Sequence, residues 1–595
     1  MCRIAGAINN PSAITTTTST VKEMCGVLKH GGPDDEGIYV NEASGLVLGH
    51  RRLSVIDLSA NGHQPMCYLS RYVISYNGEL YNYPELKQEL TLLGYHFKTE
   101  TDTEVILAAY SAWGTKSFTR FIGMFALAIW DDTEQVLLLA RDASGIKPLY
   151  YMLTEEGITF ASEIKAFHCF DNLPEQNRNW PVFLMAYGHL PEPVTIYKNV
   201  KPLEKGSCLV YNYKSRSVKT DHFYYFNIIE KITEKDTAVK LIQEQLDMAV
   251  KRHLISNAPI GVFLSGGLDS SIIAKLANNH VDNLNTLSIY FEKSEYSEKK
   301  FQDILKNELS CTHNQHLLTE NEFHAFLPAV INAMDLPCGD GINTWFISKY
   351  AKEAGLKVVL SGLGADELFG GYPSFDRIRT ALLLQKMPGS LLKSLRITNT
   401  KKLRRLAYLS LPGAAGRYLF LRGQFVPSQI ARHLDASEHE IWQILEHEPV
   451  LPYIDYLTPE NQVSWMETNM YMQNQLLRDA DTMGMAHGVE IRVPFLDTAF
   501  LKLAFKISSA VKYDGHHSKQ LLIDSFAGML PESIWKRPKM GFSFPFREWL
   551  SNERYAAEVD SSSEKDAHAK LISGQMHWSQ FFTLLLLKQY RYGKG

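Results

Sequence analysis

The sequence has little cysteine and sets it out without pattern. Its 7 cysteines (Cys2, Cys25, Cys67, Cys169, Cys208, Cys311 and Cys338) are scattered over 595 residues and form no CxxC pair. That spacing argues against a zinc site and a disulfide framework, and it fits a reducing cytoplasm. Long apolar runs are missing as well. None reaches the roughly 20 residues that cross a bilayer, and "FFTLLLLKQY" near the C-terminus reads as a buried helix. No basic region followed by an apolar core opens the chain, so no secretory leader is expected. Neither sign of charge dominates: 61 Lys and Arg stand against 65 Asp and Glu, a net charge of −4. Nucleic acid and membrane surfaces are therefore not expected as partners.

What is present is a long, ordinary globular composition, 45% hydrophobic and 21% charged, too long for one hydrophobic core. The first third is strand-rich. "GLVLGHRRLSVIDL", "RYVISYNGELYN", "MFALAIWD", "QVLLLARD" and "ITFASE" are short β-branched or aromatic runs bounded by Gly, Asn and Asp. "PELKQELTLLGY" and "DTEVILAAYSAWG" between them read as helices, and "TTTTST" at 15–20 as a loop or helix entry. This predicts an α+β domain of antiparallel sheets with flanking helices over 1–212, then a polar linker over 213–235. From 236 to 595 the rhythm changes. Buried-type strands ("PIGVFL", "LNTLSIYF", "LKVVLS") alternate with amphipathic helices, which predicts a doubly wound parallel sheet. A helical insertion is expected from about 376 to 480, where a basic stretch such as "KKLRR" reads as a solvated face.

The most informative stretch is "PIGVFLSGGLDSSIIAKL". A strand runs into Ser265-Gly266-Gly267-Leu268-Asp269-Ser270-Ser271 and then a helix. Two glycines let the backbone curl close to a ligand. The helix N-terminus offers free N–H groups and partial positive charge to an anion, and the serines add hydroxyl donors. There is no GK[ST], so this is not a Walker A loop. Asp269 would repel phosphate unless Mg²⁺ sat between them. SGGLDSS resembles the pyrophosphate-binding loop of the ATP pyrophosphatases. "KVVLSGLGADELFGGY" adds a second strand and Gly-rich acidic turn, with Asp366 and Glu367 available for Mg²⁺, and resembles the SGxGxDExFxGY signature of asparagine synthetases. "GVEIRVPFLD" (488–497) and "KRPKMGFSFP" (536–545) resemble that family's later motifs.

The N-terminal third agrees. Cys2, "HGGPDDEG" (30–37), "HRRLSVIDLS" (50–59), "GHQPM" (62–66), "YNGELYN" (76–82) and "TETDTEVIL" (99–107) resemble, in order and spacing, a class II glutamine amidotransferase domain. Singly these residues read blandly: Arg52 as a surface ion pair, "NG" as a hairpin turn, Asp102 as a helix cap. In family order they leave little room for coincidence. After methionine removal, Cys2 would carry a thiol and a free α-amine, nucleophile and base on one residue.

The resemblance implies a two-site ligase. Cys2 would attack glutamine. Arg52 would clamp its carboxylate, Asp102 its ammonium, Asn77 and Gly78 the oxyanion, and Glu79 would help hold it. ATP would lie against Phe263, Ile289, Ser361 and Gly362, with its pyrophosphate on Ser265, Gly266, Gly267, Asp269 and Ser270. Asp269 and Asp366 would organise Mg²⁺, and Lys539 would act near an acyl-adenylate of aspartate. Ammonia would pass between the sites through an internal channel. The expected cofactors are ATP and Mg²⁺, the setting cytoplasmic, and a homodimer is left open.

Two residues depart from the family pattern. Gly31 stands where HRGPD carries arginine, and Leu363 stands where typical asparagine synthetases carry glutamate. "CGDGINTWFIS" (338–348) also lacks the family's aspartate-binding pattern. Either Asp340 or Glu367 supplies the missing charge to aspartate, or the pocket takes another acid, such as a sugar uronate or a natural-product acid. An intramolecular amide cyclase and a non-catalytic relative are further alternatives, and Cys2 with its partners argues against both.

Overall fold

The structure, a computed structural model, describes residues 2–170, 173–225, 227–398, 400–449, 451–515, 517–541, 544–559 and 566–592. The N-terminal strands are β1 (Arg3–Ile8), β2 (Asp35–Asn41), β3 (Leu46–Arg52), β4 (Met66–Tyr68), β5 (Tyr72–Leu80) and β6 (Gly123–Asp131). They continue as β7 (Val136–Arg141), β8 (Tyr150–Leu153), β9 (Ile158–Ala161), β10 (Val200–Pro202), β11 (Ser207–Asn212) and β12 (Val218–His222). Two antiparallel six-stranded sheets form, in the orders β10-β8-β9-β1-β3-β2 and β12-β11-β7-β6-β5-β4.

The period-2 alternation of β1 explains how the sheets stack. Ile4 and Ile8 meet Leu46, Leu48, Val73 and Trp130 in a core between the two sheets. Ala5 and Ala7 face the other way, onto Val21, Met24 and Cys25 of the helix Ile14–Val27. Helices Tyr83–Leu92 and Asp102–Trp113 cover the outer face of the second sheet through Leu86, Leu90, Val105 and Ile106. The layers are thus helix, sheet, sheet, helix. "TTTTST" lies inside Ile14–Val27. Thr17, Thr18 and Thr20 each return their hydroxyl to the carbonyl four residues back, which lets a β-branched run sit in a helix.

The segment 213–235, read as linker, contains β12, which pairs with β11 from Ser207↔His222 to Tyr211↔Val218. A polar edge strand lacks the buried face that would mark it in sequence.

The second domain is built on β13 (Ile260–Phe263), β14 (Leu284–Tyr290), β15 (Cys311–Leu317), β16 (Val358–Leu360) and β17 (Glu490–Arg492), all parallel, in the order β15-β14-β13-β16-β17. Both faces are buried, Val358 and Leu360 on one and Val359 on the other. Strands β15 and β17 escape sequence reading because they are polar and lie at the edges. Between β16 and β17 stand the helices Pro373–Gln385, Gly413–Arg422 and Pro459–Met466, then a π-helical stretch Glu467–Leu477 that runs into Arg478–Met485. Among the described residues, no helix is long and apolar enough to cross a membrane.

The domains meet over buried charge. Asp481 receives both Arg3 (2.8 Å) and Lys147 (3.1 Å), and Asp335 accepts the backbone N–H groups of Ile164 (2.8 Å) and Lys165 (2.9 Å).

Candidate active site

Cys2 directly precedes β1, and Asn77, Gly78 and Glu79 end β5 on the facing sheet, so the stacking of the sheets brings them together. The Cys2 N–H donates to Asn77 Oδ1 at 3.2 Å, and Cys2 Sγ lies 4.0 Å from the Leu53 carbonyl. Burial pushes the thiol up to about 11; nearby Glu79 adds to this and Arg52 opposes it. Asn77 Nδ2 is buried without a hydrogen-bond partner among the described residues. An orphaned donor of that kind costs about 1–3 kcal/mol unless a ligand oxygen meets it. A Cβ at Gly78 would stand 2.1 Å from the Met124 carbonyl, so only glycine lets β5 approach β6 there.

Arg52 points its guanidinium at the carbonyls of Asp57 and Ser59 (2.8 Å to Ser59) and so holds the 56–59 loop. Thr101, not Asp102, caps the helix Asp102–Trp113 through its side-chain oxygen. That leaves Asp102 facing inward, where Oδ2 accepts from Tyr76 Oη (3.0 Å) and Leu80 N (2.9 Å). Burial raises the Asp102 carboxyl to about 6. Glu79 is also raised, by burial first and then by Glu490 and Asp102. Its Oε2 lies 3.8 Å from Arg492 of β17, so the "GVEIRVPFLD" motif reaches the glutaminase site from the other domain.

The second site lies where the sheet order reverses. Adjacent strands β13 and β16 send their C-terminal loops, 264–267 and 361–364, apart into different helices, and a crevice opens between them. The crevice is a cavity of about 1280 Å³. Phe263, Ser265, Gly267, Asp269, Ser270, Ile289, Ser361, Gly362, Leu363, Asp366 and Lys539 all line it. Gly266 does not; it makes the turn at φ +84°, and its carbonyl accepts from Arg537 at 2.9 Å. Gly362 permits the two loops to touch, since a Cβ there would sit 2.9 Å from Ser270 N.

The sequence reading missed Lys519. Its Nζ lies 2.7 Å from both Asp269 oxygens and 2.8 Å from Asp366 Oδ1, while Lys539 Nζ lies 2.6 Å from Asp366 Oδ2. Burial works against the Lys519 ammonium, and the two carboxylates outweigh it, raising its pKa. Burial likewise disfavours the Asp366 carboxylate, but Lys519 and Lys539 hold it below its ordinary range. Lys519 stands in "GHHSKQLL" with no Gly-rich or acidic signature beside it, and only its left-handed φ of +59° marks the position.

A family described as "Asparagine synthase" matches residues 241–578, and one described as "Glutamine amidotransferase domain" matches residues 1–225. An asparagine synthetase [glutamine-hydrolyzing] 1 of Bacillus subtilis (strain 168) is 34% identical over 589 residues, 96% of this chain and 91% of that protein. The chain belongs to the asparagine synthase family. A putative asparagine synthetase [glutamine-hydrolyzing] of Mycobacterium tuberculosis (strain ATCC 25618 / H37Rv) is 31% identical over 89% of this chain and 85% of its own length. Asparagine synthetase [glutamine-hydrolyzing] 3 of Bacillus subtilis (strain 168) is 28% identical over 91% and 86%. As a member of that family, the chain is a ligase that couples glutamine hydrolysis to ATP-consuming amide synthesis.

Within this asparagine synthase, Gly31 has a structural reason. A Cβ there would lie 2.7 Å from Arg3 Cγ, so the Arg3 side chain passes where a residue-31 side chain would begin. Arg3 ion-pairs Glu163 at 2.5 Å, and Glu163 also accepts from His30 at 2.9 Å. Leu363 shares its cavity with Asp340 and Asp479. Burial and the neighbouring Asp340 charge push the Asp479 carboxyl up to about 7. Glu367 also lines the cavity, but its Oε1 is taken by Tyr372 Oη at 2.7 Å.

Asp269 and Asp366 offer hard oxygens to one shared point, where Lys519 Nζ stands, and could hold a magnesium ion there; no cluster of three or more acidic, His or Cys ligands exists among the described residues. Such an ion would draw its remaining oxygens from triphosphate and water, as Mg²⁺ commonly does.

Proposed function

We propose that this enzyme makes asparagine in the cytoplasm, taking ammonia from glutamine and activating aspartate with ATP. Cys2 Sγ attacks the glutamine side-chain carbon, and its freed α-amine takes the thiol proton and returns it to the departing ammonia. Asn77 Nδ2 and the Gly78 N–H meet the oxyanion; losing one such donor costs about 10²–10³ in rate. Water then releases glutamate from the thioester. Asp102 holds the glutamine ammonium, and Arg52 and Glu79 shape the rest of that site.

At the second site the aspartate side-chain carboxylate attacks the α-phosphorus of ATP, and pyrophosphate leaves onto the 265–270 loop. Phe263, Ile289, Ser361 and Gly362 hold the adenosine. Lys519 and Lys539 meet the charge that develops on the phosphates. Mg²⁺ held by Asp269 and Asp366 would neutralise triphosphate charge. Ammonia attacks the acyl-adenylate carbon, and AMP departs.

The observation that carries aspartate is the acidic pair Asp340 and Asp479, which lines the same cavity as Leu363. It offers an α-ammonium the charge that Leu363 cannot, worth about 1.5–3 kcal/mol for a hydrogen-bonded charged group. The test is pyrophosphate release with glutamine, ATP and a panel of acids. Aspartate should lead, Asp479→Asn should cost at least tenfold in kcat/KM for aspartate, and Leu363→Glu should gain little. A non-amino acid used better than aspartate overturns the reading.

A further inference from the structure

A second cavity, about 490 Å³, opens beside the synthetase crevice, and Tyr372 and Pro373 line both. Three arginines from three helices converge on it: Arg377, Arg405 and Arg422. No Asp or Glu is among the described residues that line it. Arg422 is neutralised from behind by Glu467 at 2.6 Å and is fixed against Tyr471, 3.8 Å from its ring. Among the described residues, Arg377 and Arg405 have no such counter-charge. Arg377 donates to the carbonyls of Pro373 (3.3 Å) and Leu421 (3.2 Å), and Arg405 Nε to that of Phe420 (2.8 Å). Burial, opposed by Tyr408 and reinforced by the Arg377 charge, holds the Arg405 guanidinium below its ordinary range. Like charges gathered in a half-closed pocket without an acid repel one another. Guanidinium forks suit phosphate and carboxylate, which relieve that repulsion. The "KKLRR" stretch is therefore not only a solvated face.

We propose that this pocket is a subsite for a second anionic group, phosphate or carboxylate, on a molecule whose aspartyl unit occupies the synthetase cavity. The inference rests on the aspartate reading above. With the ammonium held at Asp340 and Asp479, such a molecule would have to continue from its α-carboxyl past Tyr372, which lines both cavities.

The test measures binding of three dipeptide amides to the full chain by calorimetry, with a non-hydrolysable ATP analogue present: aspartyl-serine, aspartyl-phosphoserine and aspartyl-glutamate. At least one anionic dipeptide should bind tenfold or more tightly than aspartyl-serine. Which one does so separates phosphate from carboxylate. The advantage should fall below twofold in Arg377→Gln and in Arg377→Gln/Arg405→Gln, with thermal midpoints reporting that both variants fold. Equal or absent binding of all three dipeptides, or an advantage that survives in the exposed Arg377→Gln variant, overturns the proposal. Loss of pyrophosphate release with free aspartate would instead overturn the aspartate reading, so the two failures are distinguishable.

Discussion

Arg3 Nη1 lies 2.8 Å from Asp481 Oδ2, with both side chains buried, and this pair ties the first strand of the glutaminase to the helical wall of the synthetase. Lys147 shares the same carboxylate at 3.1 Å. Asp481→Leu should leave Lys147 buried without its partner and Arg3 with Glu163 alone, and cost about 3–5 kcal/mol. Denaturant unfolding should show it, and an unchanged midpoint would mean that the interface tolerates the charge.

The Arg3–Gly31 contact predicts a coupled pair. Gly31→Arg alone should lower the thermal midpoint, because a Cβ at that position stands 2.7 Å from Arg3 Cγ. Combining it with Arg3→Ala should recover part of the loss, since one guanidinium would then occupy the space from the 29–31 turn. Additive losses in the double variant would disprove the exchange.

Cys2→Ala should abolish glutamine-dependent amide formation and leave synthesis from ammonium salts. A tag retained before Cys2 should act the same way, because the α-amine that serves as base would be an amide. The readout is glutamate release; near-normal hydrolysis by Cys2→Ala removes Cys2 as nucleophile, and near-normal hydrolysis by the tagged protein removes the α-amine as base.

Lys519→Met should suppress pyrophosphate release by roughly 10²–10³, the scale of losing one electrostatic contact to the reacting centre. Glutaminase activity should survive, because the glutamine site lies on the other domain. Asp269→Asn and Asp366→Asn should behave alike. A variant that consumes ATP normally would take its residue out of the site.

Glutamine binding should depend on pH through Asp102. Burial raises this carboxyl to about 6. Only its ionised form attracts the substrate ammonium, so affinity is present above that pH and lost below it. KM for glutamine should rise by roughly tenfold per pH unit on the acid side. Asp102→Asn should raise KM above that pH and flatten the profile.

The chemistry at both sites was legible in sequence wherever a local backbone requirement left a mark. Gly-rich turns after apolar strands announce anion loops, because only glycine adopts those turns and lets a ligand approach. Cys2 and "YNGELYN" were legible through spacing, and β13, β14 and β16 through their apolar runs. β12 and β15 were not, because these polar edge strands have no buried face to print a pattern, and β17 was not, because two of its three buried residues are the charged Glu490 and Arg492. Lys519 could not be found either: its role comes from standing between Asp269 and Asp366, residues 250 and 153 positions away. The reason for Gly31, in the 29–31 turn, is the path of Arg3 on β1, and the meaning of "KKLRR" depends on which helices Arg377 and Arg422 bring beside it. Charges act through space, so tertiary packing decided which of them meet, while the sequence alone determined the glycine-rich turns, the place of Cys2 directly before the first strand and the order of the two family matches along the chain.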